Sequence, residues 1–187
     1  MRARILLLTL SLVLCLTAAV PASAAVLGSR TLERGDRGWD VVTLQRVLAL
    51  QGFSAGSADG IFGRMTARSV RRFQRSRGLG VDGRVGPVTT HTLALGWRLR
   101  TASWYGPGLW GNRTACGQVL RPGTRGVAHK TLPCGTRVAI YANGRIAIFP
   151  VIDRGPYVDG VFLDLTAAAA RSLRITENTT VRDRLAG

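Results

Sequence analysis

A chain of 187 residues with 26 Lys and Arg against 10 Asp and Glu, a formal net charge of +16, has room for two small domains and calls for an anionic partner. Its arginines are scattered and lack the aromatic interleaving of a nucleic-acid recognition motif, so the composition argues against nucleic acid as that partner. Three cysteines and two histidines are a poor stock of metal ligands, and no metal or cofactor is expected.

The chain opens with Arg2 and Arg4 ahead of an apolar run, Ile5 to Leu10, that resumes from Leu12 to Leu16. Ala22-Ser23-Ala24 then supplies the small residues of a cleavage site, so residues 1–24 read as a cleaved secretory signal. The run is shorter than the roughly 20 residues that span a bilayer, and Pro21 follows it, which argues against an anchor. Val13 and Leu14 are bulky where a lipoprotein signal needs small residues before Cys15. Nothing later is apolar for long enough to form an integral membrane segment, so the mature product is expected outside the cytoplasm, secreted or in the cell wall. Anionic wall polymers are the partner that fits its charge. With Cys15 lost, Cys116 and Cys134 are an even number in an oxidising compartment, and a disulfide between them is expected.

The first half contains an internal echo: Asp59-Gly60-Ile61-Phe62-Gly63-Arg64-Met65-Thr66 returns as Asp82-Gly83-Arg84-Val85-Gly86-Pro87-Val88-Thr89. Each copy predicts a tight turn at Asp-Gly and a helix capped by its threonine. Val41, Leu44 and Leu48 fall at helical spacing up to Gly52, Val70 and Phe73 repeat the pattern after Thr66, and a third short helix follows Pro87. Three short helices around one core make a domain over residues 29–96. The string Gly35-Asp36, Gly38, Leu44-Gln45, Asp59-Gly60, Phe62-Gly63, Phe73-Gln74, Asp82-Gly83 and Val85-Gly86 resembles the peptidoglycan-binding type 1 domain along its length. The resemblance implies attachment to peptidoglycan without chemistry of its own. Gln45 and Gln74 are expected to bind backbone within that fold.

Residues 97–101 read as a short basic linker, after which the pattern turns strand-like. Thr136 to Tyr141 and Arg145 to Ile152 are apolar and β-branched, and the Asn143-Gly144 between them is a strong hairpin signal. One helix, Thr166 to Leu173, interrupts the strands. Residues 102–182 resemble the rare lipoprotein A family on Ala102-Ser103-Trp104-Tyr105-Gly106, Arg113-Thr114-Ala115-Cys116-Gly117, Ala128-His129-Lys130-Thr131-Leu132-Pro133, Asp153-Arg154-Gly155-Pro156-Tyr157 and Leu163-Asp164-Leu165-Thr166. The fold so implied is a six-stranded double-psi β-barrel, making the chain a two-domain α + β protein.

Where members of that family cut glycan strands, the resemblance implies cleavage between N-acetylmuramic acid and N-acetylglucosamine without water, leaving a 1,6-anhydro end. Asp153 matches the carboxylate that gives and retakes the proton, His129 the histidine that assists it, and Asp164 a second acid shared with expansin-like barrels. All three are expected in one groove, and proximity of the two aspartates would keep one protonated. The family's glutamate two residues after the Cys116 position is replaced here by Gln118, which hydrogen-bonds sugar but cannot exchange a proton. A peptidoglycan lytic transglycosylase and a non-catalytic, expansin-like wall binder therefore both remain open. Trp104, Tyr105 and Trp110 serve either as sugar platforms or as core.

Overall fold

The computed structural model describes residues 26–186. The expected signal segment, Cys15 included, lies outside the described residues. Three helices come first: α1 (Trp39–Leu50), α2 (Arg64–Ser76) and α3 (Pro87–Leu93). Val41, Leu44, Leu48, Phe62, Val70, Phe73 and Leu93 are fully buried among them, on the faces the periodicity predicts.

The two echoed segments are held by the same clamp. Gln45 Nε2 donates to Asp59 Oδ1 at 2.8 Å and to the Ile61 carbonyl at 3.1 Å, while its Oε1 accepts the Gly60 N–H at 2.9 Å. Gln74 repeats this on Asp82 (2.7 Å), the Arg84 carbonyl (2.9 Å) and the Gly83 N–H (2.9 Å). Each buried amide thus pins the turn that leads into the next helix. Gly60 and Gly83 take φ of +75° and +76° there, a region that favours glycine. The threonines do not cap. Gly63 and Gly86 occupy the cap positions, and Thr66 and Thr89 lie inside the first helical turn, where their hydroxyls accept from the clamping glutamines.

Six strands follow: β1 (Arg98–Tyr105), β2 (Val127–Ala128), β3 (Arg137–Ala142), β4 (Arg145–Asp153), β5 (Leu163–Thr166) and β6 (Thr179–Leu185). They close into a barrel in the order β1-β5-β2-β4-β3-β6. A fourth helix, α4 (Ala167–Ser172), is capped by Thr166, whose Oγ1 accepts the Ala169 N–H. The β3–β4 hairpin turns on Asn143 (φ 49°) and Gly144 (φ 73°), the paired positive values that suit a two-residue turn. Ala102, Val127, Val138, Ile140, Phe149, Val151, Leu163 and Leu165 fill the barrel. The expected linker is not one. Arg98 to Ala102 pair with Asp183 to Thr179 as the start of β1, and Asp183, within 2.9 Å of Arg98, supplies the counter-charge that lets so basic a segment be a strand.

The helical module is not tethered by a loose connector but seated on the barrel. Its core includes Ala139 and Ile146 from the barrel, with Tyr141 and Ile148 packed alongside. Leu27 bridges to Ile146, whose N–H donates to the Leu27 carbonyl at 2.9 Å, and His91 Nδ1 meets the Tyr141 hydroxyl at 2.8 Å. β4 is therefore apolar on both faces: Ala147, Phe149 and Val151 point into the barrel, Ile146 and Ile148 into the helices. Replacing Ile146 by alanine should destabilise the protein by about 2–5 kcal/mol. Because the side chain belongs to the helical core while sitting on a barrel strand, calorimetry should show both modules melting in one transition. Two separate transitions in the parent would contradict a shared core.

Candidate active site

The register of four neighbouring strands builds the site. Ser103 on β1 pairs with Asp164 on β5, Asp164 with Ala128 on β2, and Ala128 with Asp153 on β4. This row of four would not exist without a register shift between Val127 and Ala128, since Val127 opposes Val151 but Ala128 opposes Asp153. Bulges of this kind re-aim a side chain, and here one brings a second carboxylate level with Asp164. The two aspartates are separated by one intervening strand, about 10 Å between their backbones, with the small side chain of Ala128 between them.

Each carboxylate is held differently. Asp153 Oδ1 accepts the backbone N–H groups of Ala115 and Arg154, both at 2.8 Å. Asp164 Oδ1 accepts the Ser103 hydroxyl at 2.8 Å. Burial, with the charge of Asp153 adding to it, holds the Asp164 carboxyl above the usual aspartate range, although the Ser103 hydrogen bond pulls the other way. Tyr105 completes the group. Its hydroxyl is buried without a well-formed hydrogen bond, and burial followed by the charges of Asp153 and Asp164 pushes the phenol far up. Tyr105 and Asp153 line an open hollow together with Leu109, Asn112, Arg113, Thr114 and Leu120.

The loop between β1 and β2 forms the wall of that hollow. Thr114 N–H bonds the Gln118 carbonyl at 2.8 Å and the Gln118 N–H bonds Thr114 Oγ1 at 3.2 Å, so the segment closes on itself. The expected disulfide is present between Cys116 and Cys134, with Cα atoms 5.8 Å apart. It anchors the residue next to Ala115, whose N–H holds Asp153. Gln118 itself is exposed at the tip of this loop.

His129 does not join the carboxylates. Its neighbour Ala128 ends β2 in their row, and the His129 N–H donates to the Asp153 carbonyl at 3.2 Å, but the ring lies in a different hollow. His129 instead lines the end of the barrel, a hollow of about 390 Å³ shared with Arg98, Arg100, Lys130, Phe162 and Asp183. Its Nδ1 accepts the N–H groups of Thr131 (3.2 Å) and Leu132 (3.0 Å), which shapes the turn leading to Cys134. Burial lowers the imidazole's proton affinity, Asp183 opposes this, and Arg98, Arg154 and Arg100 reinforce it. A neutral ring carrying its proton on Nε2 follows.

Of the expected sugar platforms, only Tyr105 is beside Asp153. Trp104 faces the opposite way along β1, and its indole N–H donates to the Thr176 carbonyl at 3.1 Å. Trp110 packs on Gly106, where any side chain would collide with the indole ring. Sequence reasoning missed Ser103, Asn112 and the Ala115 N–H. Ser103 lies within a quoted motif but signals nothing until the strand register sets it opposite Asp164.

Residues 37–93 match the model of a putative peptidoglycan binding domain. Residues 100–183 match the model described as lytic transglycolase. The two matched segments coincide with the helical module and the closed six-stranded barrel. Curated relatives match less than half of the chain. The probable endolytic peptidoglycan transglycosylase RlpA of Synechocystis sp. is 46% identical over 76 residues, covering 40% of this chain and 24% of the relative. The RlpA proteins of Yersinia pestis (45% over 83 residues; 43% and 23%) and Aquifex aeolicus (46% over 74 residues; 38% and 33%) are similar. The chain thus spans between about a quarter and a third of the length of these relatives. Among solved structures, the N-terminal domain of SleB is 42% identical across 34% of this chain and 88% of its own, with a TM-score of 0.34.

The electrostatics of the row can be read directly. In a carbon-detected NMR titration the Asp164 carboxyl should titrate above the usual aspartate range. Asp153→Asn should lower it by removing a negative neighbour, and Ser103→Ala should raise it further by removing a hydrogen bond to the charged form. An Asp164 value insensitive to Asp153→Asn would separate the two carboxylates.

Proposed function

We propose that this chain is an exported, wall-associated lytic transglycosylase that cuts the bond between N-acetylmuramic acid and N-acetylglucosamine in peptidoglycan. The observation that carries the reading is the row itself: two carboxylates flank a small residue, one pinned by backbone donors and the other held above the usual aspartate range by burial. Two carboxylates in unlike surroundings can divide the acid and charge-stabilising roles between them. The named relatives, at 45–46% identity over 74–83 residues, support the reaction class. The matched helical domain supports peptidoglycan as the substrate. Export rests on the N-terminal segment and on the disulfide, a bond characteristic of oxidising compartments.

Sequence reasoning gave the proton to Asp153. The raised Asp164 carboxyl favours the opposite division. Asp164 protonates the glycosidic oxygen as the bond to C1 of the muramic acid breaks, and the Asp153 charge stabilises the positive character that develops on the ring. The C6 hydroxyl of the same sugar then attacks C1, its proton passes to the Asp164 carboxylate, and the acid is restored. No water is consumed, and a 1,6-anhydro end results. The carboxyl of Asp153 needs the Ala115 N–H for its position, which gives the Cys116–Cys134 bond a part in holding the site. His129 is then a positioning residue, acting through the turn that carries Cys134.

The deciding experiment incubates the purified chain with peptidoglycan and measures anhydro-muropeptides by mass spectrometry. Asp164→Asn and Asp153→Asn should each lower their release by about 10²- to 10⁴-fold. The rate in the parent should fall as pH rises through the elevated Asp164 value, because the acid must start protonated. Products with ordinary reducing ends, or undiminished anhydro-product from Asp164→Asn, would sink the mechanism. A second reading has one observation behind it: exposed Gln118 cannot exchange a proton, so the barrel could bind glycan without cutting. Co-sedimentation with peptidoglycan and no anhydro-product from either the parent or Gln118→Glu would select that reading.

A further inference from the structure

The helical module and the barrel enclose a second hollow that neither builds alone. Trp39, Val42, Thr43 and Arg46 form one stripe of α1, at intervals of three and four residues. They face the outer side of β4 from Ala147 to Pro150, with Arg125 at the edge, around a space of about 280 Å³. Trp39 is 70% exposed, an unusual expenditure of the largest apolar side chain. Arg137, opposite Pro150 in the register, stands beside Arg46. Burial and this like charge disfavour the charged form of Arg46. Among the described residues none of Arg46, Arg125 or Arg137 forms a salt bridge. The hollow therefore combines a free aromatic face with crowded, unneutralised guanidinium groups.

We propose that this hollow is a binding subsite for a carboxylate-bearing glycan, shared between the two modules and continuous with the strand that ends at Asp153. An indole face takes the apolar side of a pyranose ring, and paired guanidinium groups take a carboxylate. Pro150 and Asp153 are three residues apart on β4, about 10 Å, so a single strand of linked sugars reaches both. Because the modules share one core, the offset between subsite and carboxylates is fixed by packing. The ligand's identity rests on the glycan-cleaving reading above, while the location rests on the hollow itself.

The test titrates the full chain, as its Asp164→Asn variant so that nothing is cleaved, with two probes in a calorimeter. One is an alternating N-acetylglucosamine and N-acetylmuramic acid oligosaccharide with free lactyl carboxylates; the other is an N-acetylglucosamine oligosaccharide of equal length. Trp39→Ala should weaken both by about tenfold. The double change Arg46→Gln with Arg125→Gln should weaken only the carboxylated probe, by about tenfold or more, and reduce its salt dependence. Unchanged melting temperatures establish that the variants fold. Affinities equal to the parent's in both variants, equal loss for both probes in the arginine variant, or no binding of either probe by the parent would overturn the subsite. If the chain with Asp164 intact cleaves peptidoglycan while these titrations fail, the subsite falls and the activity stands. If binding follows the pattern above but the intact chain never cleaves, the subsite stands and the activity falls.

Discussion

Everything in this molecule leans on β4 being apolar on both faces. A barrel strand ordinarily alternates, burying one side and wetting the other. In β4 the inward residues Phe149 and Val151 fill the barrel while Ile146 and Ile148 complete the helical core. The strand's last residue, Asp153, reaches the carboxylate row, and its middle forms the floor of the hollow beside α1. One strand thus sets the relation of the two modules, the position of a reacting group and the shape of the surface between them. A slip of one residue would exchange its two faces and move Asp153 out of line at the same time.

The row of Ser103, Asp164, Ala128 and Asp153 shows how little machinery the barrel needs. Alternation along β1 and β5 presents Ser103 and Asp164, and a single register shift brings in Asp153. The rest is restraint. Two backbone N–H groups hold one oxygen of Asp153, a hydroxyl holds one of Asp164, and a disulfide fastens the loop on which the first of these depends. Buried polar groups that are fixed by their neighbours keep their geometry at small entropic cost when a ligand arrives.

Much of this is legible in the sequence. The Asp-Gly echoes marked the turns, Asn143-Gly144 marked the hairpin, and the compartment argument paired Cys116 with Cys134, because each of these signals is local or follows from counting. The glutamine clamps were legible in kind, since an amide in a small core has only backbone and nearby turns to bond. What escaped was whatever depends on register. His129 follows Ala128 in the chain, yet its ring lines the barrel's end, and a resemblance in sequence does not convey that direction. Arg98 and Arg100 read as a connector because two cations in three residues resemble solvated chain. Asp183, eighty-odd positions away, makes them a strand. The threonine caps failed for a related reason: a glycine was already in place at each helix start, and the hydroxyls were claimed by Gln45 and Gln74.

The segment from Val26 to Gly28 carries one more implication. Leu27 is stitched to Ile146, and Gly28, at φ +92°, has no room for a side chain because the Gly144 carbonyl lies against it. The residues that precede the helices in the chain are thus fastened to a hairpin that follows them by more than a hundred positions. The helices come first in the chain, yet Ala139 and Ile146, two side chains of their core, come from strands that follow. The core of the amino-terminal module is therefore complete only when the carboxy-terminal hairpin is in place.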